Sequence, residues 1–140
     1  AKTIAMQSPA HFKYAKRKVT TAFDLGTAVH TLVLEPHLSS TVWCGPETRR
    51  GSAWKDQYAA AAEEGAILLT EGDYQIAVDM ANSVRSNAAA MELLGGDLLV
   101  EASIFSHDEA TGVDMRCRPD GWRKDIAAVI DLKTTIDPSP

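Results

Sequence analysis

The chain has 140 residues and only two cysteines, Cys44 and Cys117, far apart and without a C-x-x-C spacing. That is too few for a structural zinc site or an iron–sulfur cluster built on cysteine alone. It suits a reduced, cytoplasmic setting better than a disulfide scaffold. No apolar run approaches the roughly 20 residues needed to cross a bilayer. The opening stretch AKTIAMQSPAHFKYAKRK lacks the apolar h-region of a secretory signal. Internal repeats and low-complexity segments are absent as well. Nor is there an excess of basic charge: the formal net charge is −5, which taken alone argues against a nucleic-acid binder. The charge is uneven, however. Lys13, Lys16, Arg17 and Lys18 form one basic run, and Arg49, Arg50 and Lys55 a second cluster. An acidic balance also leaves room for a site whose carboxylates hold cations.

Hydrophobic residues make up 45% and charged residues 24%, the balance of a globular chain long enough for a real core. Residues 1–140 read as a single domain. SPAHFKYAKRK predicts a short helix with Ser8 as N-cap and Pro9 at its first position. TAFDLGTAVHTLVLEP predicts a second, closed by Pro36, with Leu25, Val29 and Leu32 on an apolar stripe and Gly26 and His30 on a neighbouring one. TVWC reads as a short strand and AILLT as a short apolar run, on either side of a helix, GSAWKDQYAAAAEEG, that ends at Gly65. Thr70 and Asp73 form a capping box that opens a helix carrying Ile76, Met80 and Val84 at helical spacing. AAAMELL adds a further turn. The period then changes from 3.6 to 2. DLLVEASIFSHD, GVDMRCRPDG and DIAAVIDLKTT read as three strands of an antiparallel meander, joined by turns at HDEATG and GWRKD. Helices followed by such a meander make an α+β domain.

Side chains alternate across a strand, and the alternation sorts the meander into two faces. Val113, Met115 and Cys117 share a face that reads as core, as do Ile130 and Leu132. The opposite faces carry Glu101, then Asp114, Arg116, Arg118 and Asp120, then Asp131 and Lys133. Three carboxylates and a lysine on adjacent strands suit a hard cation such as Mg²⁺, which takes oxygen ligands and keeps several waters. Such a cation polarises a phosphoryl oxygen and lowers the pKa of water. A lysine beside it stabilises charge developing on a phosphate. The bland reading is a solvated strand face with Lys–Asp pairs. His30 is equally two-sided. A lone histidine in an apolar helix is commonly packed or capped, but Gly26 one turn earlier permits close approach of another backbone or of DNA. Trp54 and Tyr58, at i and i+4, read as core rather than as a base-stacking platform.

Six blocks carry more than the patterning does. GTAVHTLVLEP, EASIF, RPDG and IDLKTT, in this order, with SPAHF and GSAWK further upstream or between them, resemble the exodeoxyribonuclease VIII family. These are PD-(D/E)xK nucleases of phage and prophage origin, related in their core to the lambda exonuclease. The resemblance spans residues 8 to 138. It implies a restriction-endonuclease-like core and a 5′→3′ exonuclease on linear double-stranded DNA, dependent on Mg²⁺ or Mn²⁺. It also implies a ring-shaped homo-oligomer, and a single-strand annealing protein as partner in recombination. Carried over by position, Asp120 matches the metal-binding acid of the PD pair, Asp131 the second acid and Lys133 the lysine of DxK. His30 matches an upstream histidine that helps hold metal, Glu101 the acid preceding the PD strand, and the Leu132 carbonyl a further metal ligand. Asp120, Asp131, Lys133 and Glu101 are thus the expected catalytic set, and His30, Asp120, Asp131 and Leu132 the expected metal set. Asp120 and Asp131 are expected to share the cation.

The family pattern continues past DLKTT with a helix carrying a Gln…Tyr pair and a closing strand, whereas these 140 residues end at IDPSP. The expectation is therefore a domain shortened at its C-terminus. Two other functions fit the same residues: a structure-selective or single-strand endonuclease of this fold, and a non-catalytic DNA-binding module. Retention of both Asp131 and Lys133 speaks against the module.

Overall fold

The computed structural model describes Ser8, Ala10, Tyr14 and residues 21–135. The first expected helix and its basic run at Lys13, Lys16, Arg17 and Lys18 lie outside the described residues, apart from Ser8, which is not helical, and Ala10 and Tyr14, which are. Helix α1 spans Thr21–Leu34 and stops two residues before Pro36, where a 3₁₀ turn, Pro36–Thr41, takes over. Strand β1 (Val42–Cys44), helix α2 (Ser52–Glu63) and strand β2 (Ile67–Leu69) follow. Helix α3 (Glu71–Ser86) starts on Thr70, whose side chain accepts the Asp73 N–H at 3.2 Å, and helix α4 (Ala88–Leu94) starts on Asn87 in the same way. These caps satisfy N–H groups that the first helical turn leaves without partners.

β1 and β2 pair in parallel, Val42 with Ile67 through Cys44 with Leu69, with α2 as the crossover. This βαβ unit is an addition to the expected plan of helices followed by a meander. Its strands are three residues long, too short for a period to be read. Together with α1 and α3 it builds the core. Ala28, Val29, Leu32, Val42, Leu69, Ala77 and Ala81 are buried there, and Leu25, Tyr74 and Leu132 pack against them. Alanines at 28, 77 and 81 let α1 and α3 approach closely. A second cluster of Trp54, Ala61 and Leu68 fixes α2 to β2. Arg49 ties the same region together: its guanidinium reaches Asp24 at 3.3 Å and Asp73 at 3.2 Å and lies 5.2 Å over the Trp54 ring. Of the expected core pair, Trp54 is buried, whereas Tyr58 stacks on it from the solvent side and stays exposed.

The first two expected strands are each broken in two, and the third is shortened. The first becomes β3 (Leu98–Val100) and β4 (Ile104–Asp108), the second β5 (Val113–Cys117) and β6 (Gly121–Arg123), and the third keeps only β7 (Ala128–Ile130). β3, β6 and β7 form an antiparallel sheet, while β4 and β5 form a separate hairpin. The break after β3 comes at Glu101, whose φ of 52° is left-handed and cannot continue a strand. Pro119 marks the break before β6, since proline lacks the N–H that a ladder needs. Residues 121–123, expected in a turn, are ladder residues instead, and the turn lies at 124–127 with Ala127 at φ 52°.

The hairpin corrects one reading outright. Val113, Met115 and Cys117 do not face the core: Val113 is 52% and Met115 50% exposed, and Cys117 is exposed too. Alternation along β5 is real, but no described element covers its apolar side. The sheet is anchored elsewhere, through Arg123. This buried guanidinium donates to the Glu92 and Leu93 carbonyls at the end of α4 and grips Asp125 with two bonds of 2.7 and 2.6 Å. Gly96, at φ +62°, lies against that guanidinium, and a Cβ there would come within 2.5 Å of it.

Candidate metal and nucleic-acid site

The pairing register builds the site. Val100 is opposite Gly121, and Gly121 is opposite Ile130. The next residues outward, Glu101, Asp120 and Asp131, therefore all leave the same end of the three-stranded sheet. The Glu101 N–H bonds the Asp120 carbonyl at 3.1 Å, so the first two are held together beyond the ladder. Gly121 is needed within that row: a Cβ would meet Leu98 Cδ1 at 2.9 Å.

Helix α1 lies across this end of the sheet. Leu132 joins them, since its side chain packs against the core while its main chain faces the site. Its N–H donates to Asp120 Oδ2 at 2.6 Å. Its carbonyl lies 2.7 Å from His30 Nε2. A carbonyl only accepts, so Nε2 carries a proton, and in the neutral ring the lone pair sits on Nδ1. Nδ1 lies 3.8 Å from Asp120 Oδ2. A histidine whose far nitrogen is tied to a backbone carbonyl, leaving the near one open, has the arrangement typical of metal-ligating imidazoles.

His30, Glu101 and Asp120 offer one ligand atom each within 4.8 Å of one another, all three half-buried. One imidazole nitrogen and two carboxylates form a donor set that suits a divalent cation of the Mg²⁺–Mn²⁺ type, and the imidazole favours Mn²⁺ within it. Asp131 and Lys133 lie outside this group. The Asp131 carboxylate is 59% exposed and bonds the Lys133 ammonium at 2.5 Å. Leu132 packs against the core, whereas its two neighbours, Asp131 and Lys133, are both exposed. The Lys133 ammonium is held above the ordinary lysine range, chiefly by its hydrogen bond to Asp131, with burial opposing and the charges of Asp131 and then Asp120 adding. It is thus a proton donor with no lone pair to give a metal.

Beside the three ligands runs an open cleft of ≈ 690 Å³, floored by α1 at Gly26, Thr27 and His30 and walled by Glu101, Arg118 and Thr134. Gly26 lies against the chain after β7, where a Cβ would stand 3.4 Å from the Thr134 hydroxyl. Arg118 is the neighbour to which the sequence assigned no part. Its Nε donates to Glu101 Oε2 at 2.5 Å. Its place on the same alternating face as Asp120 was the available clue. Of the second basic cluster, Arg49 is taken up by Asp24 and Asp73, and Arg50 and Lys55 are exposed. Among the described residues, no helix is long and apolar enough to cross a membrane.

Residues 4–140 match the family described as PDDEXK-like domain of unknown function (DUF3799), and the chain belongs to that family. No curated protein matches the chain.

Proposed function

From membership of a PDDEXK-like family, we propose that the chain is a divalent-metal-dependent DNA nuclease, and specifically an exonuclease of the exodeoxyribonuclease VIII type. It would act on linear duplex in the 5′→3′ direction during phage-type recombination in the cytoplasm, as a ring-shaped homo-oligomer beside a single-strand annealing protein. The observation that carries the nuclease reading is the convergence of His30, Glu101 and Asp120 at one end of the sheet, next to a protonated lysine and an open cleft. The exonuclease type rests on the ordered GTAVH, EASIF, RPDG and IDLKTT blocks.

His30, Asp120 and Glu101 would hold the cation, with the Leu132 carbonyl and Asp131 adjoining them. A divalent cation there supplies Lewis acidity at a phosphoryl oxygen and favours hydroxide over water near neutral pH. The protein's own groups do the remaining work. The Leu132 carbonyl fixes the His30 tautomer and so aims Nδ1 inward. The Leu132 N–H holds the Asp120 carboxylate in one orientation. Lys133, kept protonated by Asp131 and Asp120, presents a positive donor to the attacking oxygen or to charge gathering on the phosphate. The Glu101 carboxylate completes the acidic wall.

Incubation of the protein with end-labelled linear duplex and with closed circular duplex, in Mn²⁺ or Mg²⁺, tests the reading. Loss of label from linear DNA with intact circles is the expected result. Cutting of circles or of internal single-stranded regions would make it an endonuclease of the same fold. Binding without any cleavage would make it a DNA-binding module.

A further inference from the structure

The Arg118–Glu101 ion pair has no part in the mechanism above, yet it occupies a candidate metal ligand and lines the cleft. Arg118 is 56% exposed on its side chain. Only its Nε is engaged: among the described residues the two terminal amino groups make no further hydrogen bond. A guanidinium with one edge bound and its fork turned to an open cleft is shaped for a phosphate, which it grips with two parallel N–H groups. Asp120 follows two residues later and helps hold the cation site, so the fork lies within the same short segment as the reacting centre. The pairing also sets up a competition. Glu101 is neutralised by Arg118 as the structure stands, and a divalent cation on His30, Glu101 and Asp120 would neutralise it instead.

We propose that Arg118 is a substrate-phosphate ligand held in reserve by Glu101 and turned over to the DNA backbone when the cation takes Glu101. The inference rests on the nuclease reading. It makes metal and DNA binding mutually reinforcing, because whatever occupies Glu101 releases the phosphate ligand, and such coupling is reciprocal.

Three measurements on the full chain and on Arg118→Gln and Arg118→Lys test it. Calorimetry with Mn²⁺ alone should show Arg118→Gln binding at least as tightly as the parent, since a competing cation has been removed. Fluorescence anisotropy with a short duplex in Ca²⁺, repeated over a salt series, should show the slope of log K against log salt falling by about 0.9 in Arg118→Gln, one phosphate contact, and staying near the parent value in Arg118→Lys. In cleavage assays KM should rise more than kcat falls. A purely structural prop would move none of the salt slope. An unchanged slope in Arg118→Gln, or Mn²⁺ affinity weakened tenfold, overturns the proposal. A parent protein that takes up no Mn²⁺ and binds no DNA removes the nuclease reading itself. Parent binding with an unaltered Arg118→Gln slope removes only the role of Arg118.

Discussion

At the scale of single residues, two neighbouring charged groups should behave differently when removed. Lys133 bonds Asp131 and stays protonated, so it has nothing to offer a metal. Lys133→Ala should keep Mn²⁺ affinity and most DNA affinity while kcat falls by about 10²–10³, the usual cost of one preorganised donor. Cleavage of linear duplex within a few-fold of the parent would reduce Lys133 to a salt-bridge partner on a solvated face. Asp120→Asn should lose Mn²⁺ binding and cleavage together, because Asp120 holds the cluster from the carboxylate side and anchors the Leu132 N–H as well. Calorimetry with Mn²⁺ reads that difference directly.

At the scale of elements, the chain after β7 acts as a hinge pin between core and site. Leu132→Ala should destabilise the fold by about 2 kcal/mol, near the low end for a core leucine, since Leu132 is only partly buried. Its main-chain bonds should loosen with it, so chemical denaturation and Mn²⁺ affinity should fall in step. Gly96→Ala should cost at least the roughly 1–2 kcal/mol of a left-handed L-residue, because its methyl also meets the Arg123 guanidinium. The elements show where the sequence was legible and where it was not. The apolar stripe of α1, the Thr70 cap and the PD and DxK segments all announce themselves through spacing and residue type. Strand alternation put Glu101 and Asp120 on polar faces, and the resemblance of the GTAVH, EASIF and RPDG blocks gave His30, Glu101 and Asp120 their expected place at a metal. The left-handed turn at Glu101 did not, because a carboxylate gives no sign of positive φ as glycine would. Three-residue strands such as β1 and β2 are too short to show a period. The face of β5 misled because alternation tells which residues share a side, not whether anything covers it.

At the scale of the whole molecule, acid should weaken the fold through its anchor. The Asp125 carboxyl is held below its ordinary range, chiefly by the hydrogen bond from Arg123, with burial opposing and the Arg123 charge adding. A depressed carboxylate stabilises the native state above its unfolded pKa, and the contribution fades as pH drops through its folded value. Thermal melts of the parent and Asp125→Asn should therefore differ most near neutrality and converge in strong acid. A gap that persists unchanged into acid would assign the bond's contribution to something other than charge. Mn²⁺ should also raise the melting temperature, since a ligand of the native state at 100 times its Kd adds about 2.7 kcal/mol, and Asp120→Asn should abolish that rise.

The main chain at Leu132 has a practical consequence. Its N–H is bonded to a carboxylate at 2.6 Å, a setting that carries an amide proton far downfield of its neighbours. That single resonance becomes a window on the whole region. Titration with diamagnetic Mg²⁺ should shift it as Asp120 turns toward the ion. Its exchange with deuterium should report how often the strand end opens without the core unfolding. One backbone atom can thus serve as a gauge of the site in solution before any substrate is in hand.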